Sequence, residues 1–132
     1  RMGGQSSLPE ADFTKASLRQ ACFRESNLSG ANFENSTIEE ALIESCDLTK
    51  ANFLLVPMKK SRLNKCNLEG ADMRAVNLFQ GSLRKARLTN TDLRGSNLYG
   101  VDFYKAVVSD RTDFEQANLK MTHLHQRIHL LK

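Results

Sequence analysis

The chain has no run of about 20 consecutive apolar residues, so no segment is expected to cross a membrane as a helix. Its glycines form no phosphate-cradling loop. No Ser/His/Asp set is brought together by any regular spacing, and neither catalysis nor a cofactor is expected. The histidines His123, His125 and His129 are confined to the C-terminal tail. His125 and His129 are four apart and could share a helix face, as metal ligands do. No Cys or acidic ligand adjoins them in sequence, so no metal site is expected. The three cysteines, Cys22, Cys46 and Cys66, lack zinc-like spacing, which points to a reducing compartment and a cytoplasmic protein. No signal peptide is recognisable. Residues Arg1-Met2-Gly3-Gly4 read as a tag remnant or the edge of an excised module, so residues 1–5 are expected to be a lead-in. A length of 132 residues implies one domain.

What the chain does have is a five-residue period. Large apolar residues recur at every fifth position from Leu8 to Val108, 21 times in succession, and none of them is polar. Two residues before each stands Ala, Ser, Cys, Val, Gly or Thr. The residue between is Asp or Asn in 11 of the 21 units. A register of this length is the first thing to explain. On an α-helix five residues turn through about 500°, and the apolar positions would spiral into no stripe. On one continuous strand an odd period would send successive apolar residues to opposite faces. The remaining solution is a short extended side followed by a corner, repeated as a coil. The small residue and the large apolar residue then both face inward, and the other three positions face out. Asp and Asn between them are expected to bond to backbone at the turns, not to act as catalytic carboxylates.

Ala11-Asp12-Phe13, Ala31-Asn32-Phe33, Ala51-Asn52-Phe53, Ala71-Asp72-Met73 and Ala117-Asn118-Leu119 resemble the A(D/N)LXX motif of the pentapeptide-repeat family. The resemblance implies an all-β fold, a right-handed quadrilateral β-helix with four pentapeptides per coil. Residues twenty apart should then stack. One column reads Leu8, Leu28, Leu48, Leu68, Leu88, Val108; the next reads Phe13, Phe33, Phe53, Met73, Leu93. Segregation of phenylalanine into one column is what stacking of like side chains would favour. The expected structural core includes Leu28, Phe33, Leu48, Phe53, Leu68, Leu88 and Phe103. Cys46 and Cys66 should be buried neighbours in adjacent coils. The expected organisation is a β-helix over residues 6–120, of about six coils and roughly 29 Å. A capping helix should follow over 121–132, where Leu124, Ile128 and Leu131 fall at helical spacing.

Two irregularities interrupt the register. Leu54-Leu55-Val56-Pro57 puts apolar residues and a proline in outward slots, and a distorted corner or part of an apolar contact patch is expected there. After Val108 the next inward residues are Phe114 and Leu119, so one extra residue lies within Ser109-Asp110-Arg111, as a bulged or lengthened corner.

Charge is uneven. Residues 1–57 carry 5 basic and 8 acidic side chains, a net −3, whereas residues 58–132 carry 14 and 7, a net +7. Glu34, Glu39, Glu40 and Glu44 gather on the second coil. Lys65, Lys85 and Lys105 form one outward column with no acid between them, and Arg74 and Arg94 form another. Phe79 and Tyr99 share an outward column, with Tyr104 around the corner beside Arg84. Exposed aromatics among arginines are typical of contact surfaces. Lys65, Phe79, Arg84, Lys85, Arg94, Tyr99, Tyr104 and Lys105 are therefore the candidate partner-binding residues of a rigid scaffold whose partner is expected to be a protein.

Three other readings follow. A subgroup of the family resembles duplex DNA in shape and charge, binds DNA gyrase and confers quinolone resistance. That mimicry needs a strongly negative rod, and this chain is +4. Nucleic acid or another anionic surface could bind the basic half directly. The stretch from Asp92 to Phe103 also resembles modules at the end of larger bacterial proteins, including type VI secretion accessory proteins. Homodimerisation through the C-terminal end is a further expectation from the resemblance.

Overall fold

The structure, a computed structural model, describes residues 6–123. Parallel bridges join residues twenty apart, from Ser7 with Asn27 through Asp47 with Asn67 to Arg87 with Val107. The chain therefore turns once per twenty residues, with four pentapeptides to a coil. Side one carries Leu28, Leu48, Leu68 and Leu88, and side two carries Phe13, Phe33, Phe53, Met73 and Leu93. Side three carries Leu18, Ile38, Met58, Leu78 and Leu98. Side four carries Phe23, Ile43, Leu63, Leu83 and Phe103. Corners leave room for little more than a single bridge per side. Among the described residues, only on side four do bridges lengthen into strands, β1 (Cys22–Arg24) and β2 (Leu42–Glu44), paired in parallel with Phe23 opposite Ile43.

Most corners are β-turns. The amide of the next small residue donates to the carbonyl of the inward residue three before it, as Ala31 to Leu28 at 3.0 Å and Ala71 to Leu68 at 2.9 Å. The second corner residue adopts positive φ, near +60° at Lys65 and Lys60, which is the type II requirement. The Asp or Asn before each inward residue secures the corner from outside. Its Oδ1 accepts the amide two residues on, at 2.9 Å from Asn32 to Glu34 and at 3.0 Å from Asn67 to Glu69. This is the structural role expected of these residues.

Three backbone bonds per side tie neighbouring coils. Leu28 donates to Asp47 (2.8 Å), Gly30 to Thr49 (2.7 Å), and Asp47 returns to Ser26 (2.9 Å). A coil's amides and carbonyls are thus satisfied by the coils above and below it, which makes the fold a stack and not a sum of independent hairpins.

The core fills the tube. Leu28, Phe33, Leu48, Phe53, Leu68 and Leu88 are fully buried, and Phe103 is nearly so. Phe13, Phe33 and Phe53 stack with centroids 5.0 and 4.6 Å apart and rings within 5° of parallel. Hydroxyls in the small slot remain bonded: Ser36 donates to the Phe33 carbonyl and Ser96 to the Leu93 carbonyl, both at 2.6 Å. Cys46 and Cys66 are buried neighbours with free thiols, and Cys66 donates to the Ile43 carbonyl at 3.1 Å. Burial pushes the Cys66 thiol well above its ordinary pKa.

Two expectations need adjusting. The stretch from Leu54 to Pro57 is not a distorted corner: Leu55 N–H donates to Arg74 (2.9 Å) and Val56 N–H to Phe53 (3.0 Å), the pattern of most other corners. The turn needs positive φ at Leu55, which is 64°, and does not need polar side chains. Pro57, lacking an amide, omits only the donation that its counterparts make to the coil below. Met121, expected in a helix, is instead a second corner residue with φ 63°, and Thr122 takes the buried small slot. The repeat geometry thus continues past residue 120. The rest of the expected helix, from Leu124 onward, lies outside the described residues. The extra residue after Val108 is present as expected, and bridges beyond it join residues 21 apart, Asp92 with Asp113 and Asn97 with Asn118.

Candidate basic-aromatic side

The register decides which outward side chains share a surface. Arg84, Tyr104, Lys65, Lys85 and Lys105 all follow inward residues of side four. Lys65, Lys85 and Lys105 occupy the second corner position, with φ of 60°, 58° and 56°, one above another and exposed. Arg84 and Tyr104 occupy the first corner position in successive coils. The Arg84 guanidinium lies 4.5 Å from the Tyr104 ring centroid, and Lys105 Nζ lies 5.3 Å from it. Arg84 also pairs with Asp102 at 2.8 Å. Burial works against ionisation of Asp102, but hydrogen bonds from Arg84 and the Tyr104 amide, with the Arg84 charge, hold its pKa below the usual carboxylate value.

Phe79 and Tyr99 line the corner that leads into the same side. Their rings stack at 5.3 Å and 12°, and Lys59 Nζ sits 5.9 Å from the Phe79 centroid. Both rings are half-buried against the coil, whereas Tyr104 is 50% exposed. Aromatic side chains thus border side four at both of its corners, the Phe79–Tyr99 pair at the entering one and Tyr104 at the other.

Arg94 does not join them. Its inward neighbour is Leu93, on side two, the opposite side of the tube. It is also not a free cation. Arg94 pairs with Asp92 at 2.7 Å and Asp113 at 3.7 Å, and Arg74 pairs with Asp72 at 2.8 Å and Asp92 at 3.8 Å. The residues before and after an inward residue are two apart on an extended segment, so both project outward and meet. Hydrogen bonding from Arg94 to Asp92, and from Arg74 to Asp72, lowers both aspartate pKa values. The arginine column expected to offer free charge is a ladder of alternating sign, in which Asp72, Asp92 and Asp113 hold Arg74 and Arg94.

Three cations that the candidate set omitted do belong to side four. Lys59 and Lys60 form the corner that enters it, and Arg62 projects from its centre, bridged to Leu42 and Ser82. All three are exposed. The signal was in the register, since Arg62 stands one residue before the inward Leu63. Across the stretches 59–65, 79–85 and 99–105, side four with its entering corner carries seven cations: Lys59, Lys60, Arg62, Lys65, Arg84, Lys85 and Lys105. Asp102 is the single acid there. Among the described residues only Arg84 of the seven has a carboxylate partner. One coil below, the charge reverses. Glu39, Glu40 and Glu44 occupy the same side and are held by Arg19, at 3.8 and 3.0 Å, and by Arg24, at 2.9 Å. Among the described residues no group of His, Cys, Asp and Glu is arranged to hold a metal ion. No helix among them is long and apolar enough to cross a membrane.

Among curated proteins no match reaches significance. Two solved structures share the architecture. A pentapeptide repeat protein, alr5209 of Nostoc PCC 7120, is 26% identical, with a TM-score of 0.54 over 84% of this chain and 86% of that one. QnrB1, described as a plasmid-mediated fluoroquinolone resistance protein, is 22% identical with a TM-score of 0.53 over 89% of this chain. This chain spans 62% of the QnrB1 chain. Both neighbours are right-handed β-helices, the hand that the motif resemblance implied. The family described as pentapeptide repeat region matches residues 5–73, and that described as pentapeptide repeats, in eight copies, matches residues 71–110. With its motif, its twenty-residue coil and these matches in agreement, the chain belongs to the pentapeptide-repeat family.

Proposed function

We propose that this chain is a non-enzymatic interaction module that presents side four to an anionic macromolecule. One observation carries the reading. Between residues 59 and 105 that side holds seven cations against one acid, and six of the cations make no ion pair among the described residues. Unpaired charge of one sign on a rigid surface raises the local concentration of oppositely charged partners and speeds their association. The aromatic side chains at its borders supply apolar contact area at low entropic cost. The β-helix holds these groups at fixed spacing, so little conformational freedom is lost on binding.

A role like that of a DNA-mimicking resistance protein is disfavoured. The likeness to QnrB1 concerns the fold, and mimicry needs a surplus of negative charge that a +4 chain lacks. Of the acids of the second coil, Glu39, Glu40 and Glu44 are already engaged by Arg19 and Arg24.

The test is affinity capture with two folded baits of equal charge change, Lys65→Glu/Lys85→Glu on side four and Lys15→Glu/Lys50→Glu elsewhere. Partners held by wild type should be lost from the first bait and kept by the second. Retention by both baits would remove side four from the reading.

A further inference from the structure

The partner chemistry can be narrowed. This inference rests on the reading of side four as the contact surface. We propose that side four takes an acidic protein segment, one or two helical turns long with carboxylates at i and i+4, and does not take nucleic acid.

The unpaired lysines Lys65, Lys85 and Lys105 climb one coil at a time, about 4.8 Å per step and so about 10 Å in all. Below Lys59 and Lys60 the next coil presents Glu39, Glu40 and Glu44. A polyanion lying along the rod would pass from lysines onto three carboxylates within about 5 Å. A segment of about two helical turns spans the cationic coils, roughly 11 Å, and stops short of them.

Side chains at i and i+4 of a helix stand about 5–6 Å apart at Cβ. That is close to the rise between stacked lysines, and the lysine stems absorb the difference.

Single-stranded nucleic acid binds such grooves largely by stacking bases on aromatic faces. Here those rings are already engaged. Phe79 is flanked by Lys59 and stacked on Tyr99, and Tyr104 carries Arg84 and Lys105. What is left on offer is charge at regular spacing beside apolar ring edges, which suits carboxylates on an amphipathic segment. The acidic coil also sets polarity, because a cation following the acidic run would lie over Glu39 and Glu40.

The test is fluorescence anisotropy on the full chain with two probes: a helical peptide of about 14 residues with Glu at i, i+4 and i+7, and single-stranded DNA of about 15 nucleotides. The peptide should bind more tightly than the DNA and weaken with added salt. Its affinity should fall by about fivefold or more in Lys65→Glu/Lys85→Glu, yet stay within about twofold in Lys15→Glu/Lys50→Glu. Circular dichroism confirms that each variant is folded. Tighter binding of the DNA, lost in the side-four variant, would overturn the acidic-segment assignment and leave side four as the contact surface. Peptide binding indifferent to the side-four variant would overturn both. Absence of peptide binding at about 1 mM would overturn the assignment.

Discussion

Eighteen non-glycine residues among those described have positive φ, and each is the second residue of a corner. An L-residue held there gives up about 1–2 kcal/mol against its relaxed conformation, and Asn tolerates the region better than most. The fold accepts this because inter-coil bonds determine the corner from both sides. Leu55 is the clearest case, since its side chain is 68% exposed and φ is 64°. Leu55→Asn should therefore stabilise the protein by about 0.5–1 kcal/mol, read as a higher urea midpoint; a lower midpoint would show that Leu55 contributes packing. The second residue-scale prediction concerns Asp92. In the folded protein Arg94 lowers its pKa, so the carboxylate stabilises the fold above the unfolded value of about 3.9 and ceases to do so as pH falls through the folded value. Asp92→Asn keeps the backbone acceptor, as Asn97 shows by accepting the Tyr99 amide at 3.2 Å, and removes the charge. Because the pair is partly exposed, the loss at pH 7 should be about 0.2–1 kcal/mol. The gap between wild type and variant should close as pH falls through the folded value; a gap constant with pH would assign the cost to something other than the ion pair. Single outward residues were the hardest part to read from the sequence. Arg94 looked like free charge because columns were compared along the rod, whereas its partner Asp92 lies two residues away across the same side.

At the scale of the coil, sequence and structure agree closely. The twenty-residue alignment that put Phe13, Phe33 and Phe53 in one column is realised as a parallel ring stack, and the break after Val108 as the change of bridge spacing from 20 to 21. These features are legible because inward slots tolerate few side chains, so composition there is a direct imprint of the tube. Outward slots constrain only the backbone, and for that reason Leu54 to Pro57 was misread as irregular. The inward tolerance is narrowest at Gly81. A Cβ there would meet Leu78 Cδ1 at 2.5 Å and the Ser61 carbonyl oxygen at 2.6 Å. Other coils accept Ala41 or Val101 in the same column, so sequence pattern alone would permit alanine. Gly81→Ala should instead destabilise by about 1–3 kcal/mol through overpacking, measured by urea denaturation; an unchanged midpoint would mean that the Leu78 side chain and the local backbone yield freely.

For the whole molecule, the architecture sorts charge by side and by height. Side two balances Asp72, Asp92 and Asp113 against Arg74 and Arg94. Side four balances Glu39, Glu40 and Glu44 against Arg19 and Arg24 at one height, then leaves six cations unmatched above it. The sequence disclosed the lysine column but not its company, because Lys59, Lys60 and Arg62 join it only once the corner preceding a side is counted with that side. The central claim is that this one side is the contact surface. The most direct measurement is lysine acylation footprinting by mass spectrometry, on the full chain with and without captured partner. The account predicts protection of Lys59, Lys65, Lys85 and Lys105, with Lys15 and Lys50 modified equally in both states. Protection of Lys15 or Lys50 with side four still fully reactive would contradict it.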